Sequence, residues 1–441
     1  MKKITLFALS LLSSSLLHAA SLDHQLAYQL TESLTTEVGP RLAGSPGDQR
    51  AVEWAVKNFK QLGFDKVWTE EFTTPYWQRG MARLEITQPF PQSLVLTALG
   101  GSVGTSEQGI HASVVMFADL DALMAAKPEQ VRGKIVFINK PMVKDKKGSD
   151  YGKVVGARSK GAIEAAKLGA QAIIIRSVGT SQNRFAHTGK MTYDESVTKI
   201  PAVAISVPDA EQLARVLSKA PEAQLKLVMH NQTEDAVSHN VVAEIKGSER
   251  PDEVVLIAAH LDSWDQGTGA LDDGAGVGLV MATAALIKQQ GQPKRTIRVV
   301  LYGNEEGGLV GARAYAAAHS KELNSIVLAS ESDFGAGRIW QFSTAFGPNA
   351  LAYGDHMANA LAKLNIEKGD NKAYGGPDVS VLHAMGVPVV SLEQDGTDYF
   401  DYHHTPNDTF DKIDPAALQQ NLEAWIMMTS MAANTTTDFR K

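Results

Sequence analysis

The chain reads as an α/β protein: a mixed sheet sandwiched by helices, interrupted by an inserted domain of mixed α and β structure. Three observations predict this. From Asn240 onward short apolar runs alternate with helical runs, the pattern of a sheet covered on both faces. Between about Gly109 and Val228 the texture changes to closely spaced short apolar strands. After Asn240, acidic and histidine residues collect just past the apolar runs, where open α/β sheets place their sites.

The N-terminus comes first. Lys2 and Lys3 precede an apolar run over residues 4–17, and Leu17-His18-Ala19-Ala20 offers small-residue cleavage sites. Residues 1–20 are therefore expected to be a secretory signal peptide, too short for the roughly 20 residues a membrane span needs. No cysteine follows for lipid attachment. The mature protein is expected to be secreted or periplasmic, with no membrane association after signal removal.

Helices are expected over 22–35 and 48–62, with loop signals at Gly39-Pro40 and Gly44-Ser45-Pro46-Gly47 between them. Strands are expected over 67–73 and 82–87. The glycine-rich stretch 99–105 marks a boundary. Next come strands over 112–117, 134–138, 172–175, 202–205 and 224–228, with helices over 160–168 and 208–217. The second part of the sheet then follows, with strands over 241–245, 254–259, 297–302, 325–330 and 387–392. Its helices are expected over 275–289, 309–319, 348–364, 379–385 and 415–433. The resulting division is residues 21–105 and 236–441 for the main domain and 106–235 for the insertion.

Composition narrows the function classes. The 441 residues suffice for two or three domains. A net charge of −7 argues against nucleic acid or an anionic membrane as the main partner. With no cysteine, thiolate catalysis is excluded, and any metal must be held by His, Asp and Glu.

The chemistry concentrates in Ala258 to Gly276, AAHLDSWDQGTGALDDGAG. His260 ends an apolar run. Asp262, two residues on, leaves the same face if the extended conformation persists, and could orient the imidazole. Asp272-Asp273 stands at the start of a helical run, where a carboxylate alone would be read as a cap. Glu305-Glu306 follows the next apolar run. Adjacent acids there diverge, so one can bind a metal while the other acts as general base. Glu331-Ser332-Asp333 and His403-His404 follow the next two. Each motif alone fits a cap or a solvated loop; together they fit a metal centre. Three carboxylates at Asp272, Glu306 and Asp333, with one hydroxide, would balance two divalent cations. Without cations they would repel one another in a half-buried cleft.

In this order the motifs HLDSWDQGTGALDDGAG, NEEGG, ESDFG and YHHTPNDT resemble the co-catalytic di-zinc exopeptidases that include aminopeptidase S and glutamate carboxypeptidase. The likeness covers about residues 22–99 and 240–433. The stretch 100–232 resembles a protease-associated domain, which points to the carboxypeptidase Q-like branch. The resemblance implies a zinc-exopeptidase fold and two Zn²⁺ ions per chain. His260 and Asp333 would bind one ion, Glu306 and His404 the other, and Asp272 would bridge them, with a cis peptide between Asp272 and Asp273. Glu305 would be the general base. His404 is preferred over His403 because Thr405 and Asp408 follow it in the family's pattern. His403, Tyr402 and Asp378 are then substrate-side or supporting candidates, although Asp378 could simply cap its helix.

The expected reaction is hydrolysis of dipeptides or short peptides by metal-activated water, with Glu305 moving the proton to the leaving amine. Release of N-terminal residues by an aminopeptidase is the first alternative. A single-zinc glutaminyl cyclase-like enzyme or a non-catalytic receptor-like relative is the second, and the filled ligand positions disfavour both. Homodimerisation is expected by analogy with the family.

Overall fold

The computed structural model describes residues 23–441. The expected signal peptide, residues 1–20, lies outside the described residues. Fourteen strands join in one hydrogen-bonded array. At its centre, Arg250–His260 runs parallel to Arg295–Tyr302 on one side and to Ile326–Glu331 on the other. Val389–Gln394 continues the parallel set beyond Ile326–Glu331. Gln224–Ile245 pairs antiparallel with the far side of Arg295–Tyr302.

This register positions the site. His260 pairs with Tyr302, and Ala258 with Glu331, so three neighbouring strands end together at one edge. The loops that follow them carry Asp262, Glu305-Glu306 and Asp333 to that edge.

The central strands carry apolar runs, Val254–Ala259 and Val299–Tyr302 among them, because helices cover both faces. All residues of Arg295–Tyr302 and the last seven of Arg250–His260 are buried. One face is packed by Ala275–Gln290, buried from Ala275 to Ile287, which lies against Leu26–Ser33 and Pro415–Asn434. A helix this apolar around its circumference has no solvent-facing stripe and belongs in a core. Val310–Ala318 and Val379–Ala384 contribute to the opposite face.

The largest departure from the sequence reading is a long two-stranded ribbon. The strands expected at 67–73 and 82–87 are one strand, Lys66–Gln88. Those expected at 224–228 and 241–245 are also one, Gln224–Ile245. The two pair antiparallel from Lys66 opposite Glu244 to Gln88 opposite Gln224. The middle of Gln224–Ile245 is polar and largely exposed, although Phe72 and Trp77 on the partner strand are buried, so an apolar-period reading does not detect the continuous pairing. Residues 235 and 236 lie within this ribbon.

The ribbon leads to a second lobe with its own apolar clusters. There Ile110–Phe117, Ile135–Ile138, Ala172–Arg176 and Ala202–Ile205 form a parallel set. The helices Tyr151–Lys167 and Val207–Lys219 pack on it. Four strands went unanticipated: the short Gln92–Leu94, Leu96–Ala98 and Glu367–Lys368, and the longer Ile339–Ala345, antiparallel to Val389–Gln394. Gln, Ser and Thr residues in Ile339–Ala345 mask its strand signal.

Candidate active site

His260 is wholly buried at its strand end. Its Nε2 lies 3.1 Å from Asp272 Oδ1 and 3.4 Å from Asp333 Oδ1. Its Nδ1 lies 3.1 Å from the main-chain carbonyl of Asp262, nearer than the Asp262 carboxylate at 3.6 Å. The carboxylate expected to orient His260 has a different main partner: Oδ1 accepts the backbone N–H of Glu305 at 3.0 Å.

The acidic turn is held from below. Asp408 accepts the backbone N–H groups of Ala270, Leu271 and Asp272 at 3.0, 2.7 and 3.2 Å. Arg41, wholly buried, donates to the carbonyls of Leu261, Thr268 and Gly269 at 2.6, 2.7 and 2.9 Å. The Asp272–Asp273 peptide is cis. Asp273 faces inward and accepts the N–H of His260 and of Gly276, both at 3.2 Å. Glycine is needed at 276, where a Cβ would lie 2.2 Å from the Ser332 carbonyl and 2.3 Å from Asp273 Oδ1.

On the other side of Asp272, His404 Nε2 lies 3.2 Å from Asp272 Oδ2 and 3.0 Å from Glu306 Oε2. The Trp264 indole also donates to Glu306 Oε2. The histidine loop is gripped by the second lobe. His187 Nδ1–H donates to the His403 carbonyl at 2.8 Å, and the Thr188 N–H donates to the His404 carbonyl at 2.9 Å. The Thr188 carbonyl in turn lies 3.3 Å from His404 Nδ1.

The structure thus brings His260, Asp272, Glu306, Asp333 and His404 together. Glu305, Glu306, Asp272 and Asp333 line one cavity of about 450 Å³. His403 also lines it. Its Nε2 is 3.6 Å from Asp272 Oδ2, and its ring stacks on His404 with centroids 3.5 Å apart. Tyr402 instead lines the neighbouring cavity, beside Lys412 and Asp414. Asp378 is fully buried at the start of Val379–Ala384 and neither of its carboxylate oxygens has a partner. The Val379 N–H goes to Glu331 at 2.9 Å instead. Arg41 and His187 escaped the sequence reading, while Trp264 and Asp408 stood inside its motifs without an assigned role.

The electrostatics suit bound cations. Burial pushes Glu306 up to about 7, partly offset by His404. Burial, with Asp333 and Glu306 adding, holds Glu305 well above the usual carboxylate range, against the pull of His260. Burial opposes ionisation of Asp272, but His260 and His404 hold it well below that range. Asp272 Oδ2 and Glu306 Oε1 are buried without a hydrogen-bond donor. Such orphaned acceptors are costly unless a cation satisfies them. Asp272 is shared by two clusters able to hold an ion, one with His260 and Asp333, the other with His403 and His404. Within each, ligand atoms lie within 4.8 Å of one another.

The profile of peptidase family M28 matches residues 240–429, the segment that carries His260, Asp272, Glu305, Glu306, Asp333 and His404. Carboxypeptidase Q of Rattus norvegicus is 37% identical over 410 residues, which cover 92% of this chain and 85% of that protein. The chain belongs to peptidase family M28. It is a metallo-exopeptidase that acts on peptides. Carboxypeptidase Q of Homo sapiens is 36% identical over 92% of the chain. A solved peptidase M28 precursor from Shewanella amazonensis SB2B is 50% identical, covers 95% of each chain and superposes with a TM-score of 0.92. The zinc aminopeptidase BSAP from Bacillus subtilis, at 21% identity and a TM-score of 0.70, shares the fold over 96% of this chain and 98% of its own.

Proposed function

We propose that this M28 enzyme is an exported di-zinc exopeptidase that hydrolyses dipeptides or short peptides in the manner of carboxypeptidase Q. The observation that carries the reading is the two-sided contact of Asp272. One carboxylate oxygen faces His260 at 3.1 Å and the other faces His404 at 3.2 Å. A carboxylate so disposed suits a bridge between two cations, with His260 and Asp333 on one side and Glu306 and His404 on the other. The all-N/O donor set suits zinc. Two such ions, when bound, supply Lewis-acid polarisation of the scissile carbonyl and lower the pKa of the attacking water.

The chain's own residues supply the proton traffic. Glu305 sits beside the ligand Glu306 on the cavity wall, with its backbone fixed by Asp262. As general base it takes one proton from water. The water oxygen bonds to the carbonyl carbon, the C–N bond breaks, and Glu305 returns the proton to the leaving amine. Phe334, Tyr399 and Phe400 add aromatic surface to the cavity wall beside these groups.

Two further parts of the reading rest on sequence. Lys2, Lys3 and the apolar run behind them support export, and residues 106–235 are assigned as a protease-associated insertion in an otherwise single catalytic domain. Dimerisation is carried over from the family alone, and light scattering on the mature chain tests it. The reading as a whole is tested with free and end-blocked dipeptides, with and without a chelator. Hydrolysis abolished by the chelator and restored by zinc is the expected result. Chelator-resistant hydrolysis, or none with zinc present, would reject it.

A further inference from the structure

The two sides of Asp272 are built differently. His260 and Asp333 are fixed by the main sheet alone. They follow neighbouring parallel strands, and the Ser332 N–H donates to the Ala258 carbonyl at 2.9 Å. His260 Nδ1 faces a carbonyl of its own loop, Asp262, at 3.1 Å. Glu306 and His404 are held from the second lobe instead.

The connection between Ala172–Arg176 and Ala202–Ile205 makes most of these contacts. His187 Nδ1–H and the Thr188 N–H donate to the carbonyls of His403 and His404 at 2.8 and 2.9 Å. Lys190 Nζ donates to the carbonyl of Gly307, the residue after Glu306. The Thr188 carbonyl and Arg158 Nη1 both lie 3.3 Å from His404 Nδ1. With Nε2 turned toward Asp272 and Glu306, Nδ1 carries the proton, and of the two only the carbonyl can accept it. Trp264 repeats the pattern. Its indole donates to Glu306 Oε2, while its ring packs beside Trp77 in an apolar cluster of the second lobe. The fit is close, since a Cβ at Gly100 would lie 1.9 Å from that ring. Arg79 of the ribbon ties the two loops together, donating to Asp265 at 2.8 Å and to the Thr188 hydroxyl at 3.0 Å.

We infer that the second lobe sets metal affinity at the Glu306–His404 position, through His187, Thr188, Lys190 and Trp264 as positioning residues, and leaves the His260–Asp333 position to the main domain. This rests on the di-zinc reading above and deepens it. Partners behind a ligand fix its direction before the ion arrives, and their loss weakens binding without removing a ligand. Linkage is reciprocal, so an ion at Glu306 and His404 must in turn hold the lobe against the main domain. The lobe is then part of the metal centre as well as a wall of the cleft.

The test is a calorimetric zinc titration of the metal-depleted full chain in two backgrounds. Asp333→Ala retains the Glu306–His404 position, and His404→Ala retains the His260–Asp333 position. Trp264→Phe keeps an aromatic ring in the cluster but removes the N–H. Added to the first background, it should weaken zinc binding about 10–100-fold, and Lys190→Met should do the same. Added to the second, neither should change it. Lys190→Arg, which keeps a donor, should restore most of the affinity. In the reverse direction, zinc should slow amide exchange at residues 187–190 in the Asp333→Ala background but not in the His404→Ala background, with Ile135–Ile138 of the lobe's own sheet unaffected in both. Equal weakening in the two backgrounds, or in neither, would overturn the inference while a wild type that binds two ions keeps the di-zinc reading. A wild type that binds one ion would reject that reading and the inference with it.

Discussion

The Asp262 carboxylate accepts the backbone N–H of Glu305 at 3.0 Å, while the carbonyl of the same residue faces His260 Nδ1 at 3.1 Å. One residue thus ties a metal-ligand candidate to the proposed base. Asp262→Ala leaves the Glu305 N–H without its acceptor and loosens the wall of the site. We expect kcat to fall about 10–100-fold, as is common when a residue supporting a metal site is lost, with a smaller change in KM. Steady-state kinetics on one dipeptide check this, and an unchanged kcat would remove Asp262 from the account.

Glu305 itself has a sharper expectation. Glu305→Gln keeps size and hydrogen bonding but removes the base. Turnover should drop by about 10²–10⁴-fold. Metal content, measured on the same sample, should stay at the wild-type value because Glu305 is not among the proposed ligands. Near-normal turnover would require another base.

The acidic turn depends on Asp408 and Arg41, which together hold six backbone groups around it. Asp408→Ala leaves three buried N–H groups without their acceptor and Arg41 without its nearby charge. We expect a loss of about 2–5 kcal/mol in unfolding free energy and weaker metal retention. Asp408→Asn keeps one acceptor oxygen and should cost less. Denaturant unfolding of both variants gives the comparison; equal, small losses would mean that the turn is held elsewhere.

His187 gives the second lobe a pH signature. Burial, despite the hydrogen bond to the His403 carbonyl, lowers its pKa from the usual 6.5 to about 3. The unfolded chain therefore binds a proton between these values that the folded chain does not. The His187 contribution to stability is complete above about pH 6.5 and is lost as pH falls toward 3, at up to about 1.4 kcal/mol per pH unit. His187→Gln should flatten the dependence of Tm on pH in that window. An identical slope in wild type and variant would contradict the assignment.

The parts of the site that were legible in sequence share a cause. His260, Glu305-Glu306 and Asp333 follow the apolar ends of buried strands, so these groups appear where the chain leaves the core. Arg41 and Asp408 reach this region from 220 and 137 residues away; nothing local marks Arg41, and Asp408 was visible only as a motif residue without a role. Arg158 lies outside the helix expected over 160–168; the structure extends that helix to Tyr151–Lys167 and brings Arg158 to within 3.3 Å of His404 Nδ1. The ribbon of Lys66–Gln88 and Gln224–Ile245 was read as four short strands because the middle of the second strand, residues 231–235, is polar and mostly exposed. Tyr402 was named a substrate-side candidate within YHHTPNDT; at the end of the short helix Tyr399–Tyr402 it lines the adjoining cavity.

The central claim is that Asp272 joins two metal positions. The zinc-to-protein ratio of the purified chain, measured by mass spectrometry for wild type and Asp272→Ala side by side, tests it most directly. The account predicts two ions per wild-type chain and loss of both ions from the variant at zinc concentrations that saturate the wild type. One ion per wild-type chain, or an Asp272→Ala variant that still holds two, would contradict it.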